Sequence, residues 1–229
     1  MSDRILASRM VAGNADFFTL PGGLVLNLFA AAGTPFRALI SGRERAVTAN
    51  VALNVTDNAH NFIFLNRNGT LGRSATPCTY AYAAPAAPAA GDHWHDLGSD
   101  VMKSWSGAAW VVVERIFIGY VRADAAAINA AYACEPVGLN PYVRFAKYGP
   151  GTDGFLDVAG AVVNVAQGHY TAVVIRGAGV LSHPAFAFSI GIGLYVRSQG
   201  PIVLCGVSGI VADGLGPTIG AGAAGAGAA

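Results

Sequence analysis

All three tryptophans of this chain, Trp94, Trp105 and Trp110, fall within one stretch, residues 91–120. Two turn signals lie between them, Leu97-Gly98-Ser99-Asp100 and Ser106-Gly107, and an apolar run continues to Tyr120. Short apolar runs broken by Gly and Asp turns read as strands rather than helices. The expected elements are a short strand at 93–95, a strand at 101–105, a tight turn at Ser106-Gly107 and one long strand over 109–122. A hairpin of this size does not hold together alone. Three indoles, each a large apolar surface with one N–H to satisfy, supply it with a core. The same rings, with Tyr80 and Tyr82, are also the candidates for a glycan-stacking surface.

The rest of the chain follows the same grammar. Residues 11–42 hold apolar patches separated by Pro21-Gly22-Gly23 and Gly33-Thr34-Pro35, a strand–turn–strand signal. Residues 44–55 alternate strictly, which predicts one half-buried strand with Val47, Val51, Leu53 and Val55 facing inward. Residues 61–66 read as a strand closed by Asn68-Gly69, a strong turn pair. The Ala/Pro run at 83–90 favours extended backbone and reads either as a linker or as a rigid crossing between two strands of one sheet, the second being the expectation. Residues 124–133 are rich in alanine, the best helix former, with Asp124 able to cap, so helix competes there. Local pattern leaves both helix and strand open.

Beyond residue 158 only Arg176, Arg197 and Asp213 carry charge. Glycines punctuate the apolar segments at roughly the spacing of a sheet or solenoid of short strands, without a strict repeat. Charged residues are 12% of the chain and hydrophobic residues 53%, against about 25% charged in an average domain. A chain so poor in charge covers its core with difficulty, so faces shared between copies are expected, in a homotrimer. Ile192, Leu194, Val203 and Leu204 are the candidate interface residues. No apolar run reaches the length of a membrane-spanning helix, and membrane insertion is not expected. Net charge is +1 with two lysines, Lys103 and Lys147, so nucleic acid would find no electrostatic footprint. Cys78, Cys134 and Cys205 are widely spaced, which predicts buried thiols rather than a disulfide framework or a zinc site.

Few residues suggest chemistry. His93 and His95 share one strand face with Asp92 and Asp96 nearby, the strongest hint of a metal. Two ligands two apart are too few, and a hydrogen-bonded pair is expected, with no metal and no cofactor. In a trimer, one copy from each chain could still converge on the axis. Asp92, Asp96, Asp100 and Glu114 are the acids available for glycan cleavage. Most stand beside turn glycines, where aspartate is ordinary turn chemistry, so no enzyme is expected.

The order G-D-x-W-x-D, M-K-x-W-x-G-x-x-W, R-x-F-I-G in residues 91–119 resembles a module of tailed-bacteriophage tail-fibre and other virion fibre proteins. The resemblance extends to an apolar strand and turn upstream, over residues 43–146, and the glycine-rich end resembles the ends of certain phage fibres. It implies a mainly-β structural protein: an N-terminal arm and virion-attachment segment at 1–42, a short-stranded β-sandwich-like fibre module at 43–146, and a Gly-rich β segment at 147–229 intertwined in a trimer. It further implies strand over residues 124–133, a virion location, attachment to other virion proteins through the N-terminal segment, and a host glycan or outer-membrane receptor. A head fibre or capsid decoration protein is the neighbouring alternative, and a carbohydrate-binding adhesin the alternative of another class.

Overall fold

A computed structural model describes residues 4–6, 17–30, 33–133, 151–165, 167–182, 195–199, 202–204 and 209–211. The described residues are mainly strand, with no helix among them. The chain divides into two compact units, Met1–Lys147 and Tyr148–Ala229.

The first unit is built on a central sheet of β7 (Ala59–Asn66), β8 (Leu71–Ser74), β13 (Arg115–Asp124) and β14 (Ala127–Ala133), in the order β14-β13-β7-β8. Five of the eight residues of β7 and eight of the ten of β13 are buried, because the sheet is covered on both faces. One face carries Ile63, Leu65, Ile116, Ile118, Val121 and Ala123 into a core shared with two three-stranded sheets. The first of these is β1 (Arg4–Leu6), β4 (Phe36–Ile40) and β5 (Arg43–Val47); the second is β2 (Phe18–Gly22), β3 (Val25–Leu28) and β6 (Val51–Asn54). Residues 17–47 therefore supply Phe17, Leu26, Leu28, Phe36 and Ile40 to the same core as the rest of this unit. A register shift between Phe117 and Gly119 changes the phase of β13. Even-numbered residues face this core before it and odd-numbered ones after it, as a β-bulge allows.

The other face of the central sheet presents Phe64, Phe117 and Tyr120. A second four-stranded sheet lies in the order β12-β11-β10-β9 and consists of β9 (Cys78–Ala81), β10 (His93–Asp96), β11 (Val101–Trp105) and β12 (Trp110–Val112). Ring contacts from His93 to Phe64 and Phe117 join the two sheets.

Two long strands expected from the sequence, one from alternation and one from an apolar run, are each divided. Residues 44–55 split at Thr48–Asn50, where the chain leaves the partner β4 and joins β3. Asn50 marks the passage by accepting a hydrogen bond from the Ala30 N–H at 3.0 Å. The inward set Val47, Val51, Leu53 and Val55 nonetheless packs in or against the core. Residues 109–122 split at Val113-Glu114, where the chain passes from the outer sheet to the central one. Periodicity survives such a change of sheet, so alternation alone does not mark it.

The Ala/Pro run does join two strands of one sheet, since β9 and β10 are parallel neighbours. The alanine-rich segment is strand from Ala127, after a tight turn in which Ala125 and Ala126 both take positive φ, 53° and 60°. Asp57 Oδ1 accepts from the Ala126 N–H at 3.0 Å and holds that turn. Pairing with β13 outweighs alanine's preference for helix.

The second unit is a stack of parallel strands. β15 (Phe155–Ala159), β18 (Ala172–Arg176) and β21 (Ile202–Leu204) form one sheet; β16 (Val162–Asn164), β19 (Val180–Ser182) and β22 (Gly209–Val211) form another; β17 (Gln167–Tyr170) and β20 (Tyr195–Ser198) form a third. Every third strand thus returns beside its predecessor, the topology of a parallel β-coil. Leu156, Val158, Val163, Tyr170, Val173, Ile175, Leu181 and Val196, drawn from all three sheets, pack into one core. Phe155 pairs with Ala172 and Val162 with Val180, but Val173 pairs with Ile202. The extra length between β19 and β20 spoils the repeat, which is why no period stands out in the sequence.

Candidate functional site

The chemistry-bearing side chains gather on the two faces of the β9–β12 sheet. The strand period of two sorts them. Cys78, Tyr80, His93, His95 and Met102 share the face turned to the central sheet, and Trp94, Asp96, Lys103, Trp105 and Trp110 share the other.

On the inner face, His93 and His95 are 4% and 0% exposed. His93 Nε2 lies 3.0 Å from an Arg115 Nη1, and the Arg115 guanidinium stacks 4.3 Å above the Phe64 ring. Burial, then the Arg115 charge, lower the His93 pKa to about 4, while Asp92 and the Gly91 backbone pull the other way. His95 Nε2 lies 3.1 Å from Asp100 Oδ1, and Tyr80 stacks on its ring at 5.8 Å. Burial lowers its pKa too, opposed by Asp100 and Asp96. Cys78 Sγ and Met102 Sδ are in contact at 3.4 Å. The expected sharing of one face by the two histidines is therefore what the structure contains. Their rings engage different partners, and both are enclosed within their own chain. The acids beside them are committed elsewhere. Asp92 accepts from Thr76 Oγ1 at 2.7 Å and from the Ala89 N–H at 2.8 Å. No group of three or more His, Cys, Asp or Glu that could hold a metal occurs among the described residues.

On the outer face, the indoles pack edge to face. Trp110 meets Trp94 at 5.5 Å and Trp105 at 5.4 Å. Trp94 is buried, and its Nε1–H donates to the Ala81 carbonyl at 2.9 Å, so its polar end is satisfied. Lys103 Nζ sits 4.7 Å over the Trp94 ring and donates to Asp96 Oδ2 at 2.7 Å. Burial acts to raise the Asp96 carboxyl. Hydrogen bonds from Lys103, Ser99 and Gly98 outweigh it and lower the pKa to about 2. Asp96 is thus a fixed anion closing the Leu97–Asp100 turn, unsuited to donating a proton. Glu114 ion-pairs with Arg67.

The three tryptophans are thus brought together as expected. Tyr80 lies on the opposite face of the sheet, and Tyr82 is 59% exposed. Trp105 and Trp110 are half-buried, beside exposed Val112. Of the interface candidates, Val203 is 1% and Leu204 36% exposed in the single chain; Ile192 and Leu194 lie outside the described residues. Arg115 and Phe117 fall in the R-x-F-I-G run, but nothing local tied them to Phe64 or to His93. Their common face follows from the direct pairing of Phe117 with Phe64, which only the strand register supplies. Cys134 and Cys205 lie outside the described residues. Among the described residues no helix is long and apolar enough to cross a membrane.

No family model, curated protein or solved structure matches this chain.

Proposed function

We propose that this chain is a non-enzymatic structural subunit of a tailed-phage virion, a tail-fibre component that assembles as a homotrimer and takes part in host attachment. The observation that carries the reading is the parallel coil of the second unit. Its backbone ladders all add in one direction, the arrangement of an extended and repetitive structural element. The motif order around the three tryptophans supports the same reading. So do the side chains that might perform chemistry. His93, His95, Asp92, Asp96 and Glu114 are each engaged in contacts that hold turns or sheets together.

A trimer suits the apolar balance of the chain. Ile202 is 50% and Val162 63% exposed in the isolated chain, and closed symmetry would cover such residues without generating an open filament. A head fibre or a capsid decoration protein would share these features and differ in where the N-terminal segment attaches. The test is twofold. Purified particles should contain the chain, detected by peptide mass spectrometry and placed by labelled antibody. Sedimentation equilibrium at micromolar concentration should give three times the chain mass. A well-dispersed monomer absent from particles would overturn the reading.

One observation favours a second reading, a carbohydrate-binding module. Trp105 and Trp110 are half-buried on the sheet face that also carries exposed Val112, and such rings can stack on a sugar face. Binding of the isolated chain to a glycan array, lost in Trp110→Ala with the melt little changed, would select it.

A further inference from the structure

The seam between the central sheet and the β9–β12 sheet contains a buried titratable group with a cation as its nearest charge. Arg115 is a donor only, so His93 Nε2 accepts its hydrogen bond and the imidazole is neutral. The Phe117 ring stands edge-on to it at 5.1 Å and Phe64 lies 5.5 Å away. From the start of its own strand it feels Asp92, already bound to Thr76 and Ala89. Further along that strand, His95 is turned to Asp100, and Asp96 is on the opposite face with Lys103. The neighbouring strands β9 and β11 place Cys78 and Ser104 beside it. From β7 it meets Phe64, and from the β12–β13 junction Glu114 is spent on Arg67.

We propose that His93 is an acid-operated latch on this seam. A proton taken from solvent onto Nε2 removes the acceptor for Arg115 and sets an imidazolium against a guanidinium. The β9–β12 sheet then loosens from the central sheet while each sheet keeps its own ladder. His95 differs in the group that faces it: Asp100 opposes the effect of burial there, and no guanidinium is set against its imidazole. The latch gives the tryptophan-bearing sheet a position that depends on acidity, independently of what the protein attaches to.

Cys78 reports on the seam, since its buried thiol pairs in register with His93 on the same face. The full chain is labelled with a disulfide reagent active in acid, and modification of Cys78 is followed at peptide level. Relative to a free thiol, Cys78 should react at least ~10-fold faster at pH 4 than at pH 7, the factor that one pKa unit of coupling supplies. In His93→Gln the carboxamide accepts from Arg115 but takes no proton, and Cys78 should stay protected across this range. Equal acid exposure of Cys78 in His93→Gln and the unsubstituted chain overturns the proposal. Should the variant fold poorly, an NMR titration of the unsubstituted protein decides instead. The His93 imidazole signal should move in step with Cys78 exposure, and titration near 6.5 with the thiol still protected overturns it.

Discussion

Single residues carry costs that can be tested directly. Ala125 and Ala126 both hold left-handed backbone in the turn joining β13 to β14, a conformation glycine adopts without a Cβ penalty. Ala126→Gly is expected to stabilise the chain by about 0.5–1 kcal/mol in urea unfolding, provided the Asp57 contact to its N–H persists. Gly72 is the reverse case. A Cβ there would stand 2.2 Å from the Phe64 ring, the same ring that supports Arg115. Gly72→Ala should therefore destabilise by about 1–3 kcal/mol through overpacking, read as a lower urea midpoint. His93 makes global stability depend on pH. An unfolded histidine takes up its proton near 6.5 and folded His93 near 4. Its stabilising contribution is complete above about 6.5, is withdrawn as pH falls between those values, and changes no further below. The gap amounts to ~3 kcal/mol, and denaturant titrations at pH 7 and pH 4, with His93→Gln as reference, measure it. Of these positions His93 stands out locally, beside His95, while Ala126 and Gly72 do not. Gly72 is one glycine in an ordinary tetrapeptide, and what singles it out is a ring on the neighbouring strand.

Elements were easier to read than their partners. Strand content, the Val101–Trp105 strand and the Asn68-Gly69 turn all follow from short-range pattern. Which sheet a strand joins does not, and both errors of length arose where a run changes partner. The Ala/Pro crossover was expected to join two strands of one sheet, and β9 and β10 are such a pair; its bend at Ala87, with φ 50°, was not legible. Within the outer sheet, Trp110 bridges Trp94 and Trp105. Because it is half-buried, Trp110→Ala should cost about 2 kcal/mol, less than the 3–5 of a fully enclosed aromatic. A thermal melt checks this. A loss confined to glycan binding would show that the ring serves a ligand rather than the hairpin.

At the scale of the molecule, the chain joins a layered unit to a coiled one. The low charge that first suggested shared surfaces is concentrated in the coiled unit, where the faces turned inward need no charge at all. Its construction has a consequence for how such a chain changes length. Phe155 lies beneath Ala172 and Val162 beneath Val180, so one circuit consumes 17 or 18 residues and climbs by one strand spacing, about 4.8 Å. Residues gained between β19 and β20 leave the circuit above in register. A duplicated or deleted circuit likewise preserves every lateral neighbour and alters only height. The second unit is therefore a ruler graduated in whole circuits: small insertions decorate its side, and only insertions of a full period make it taller.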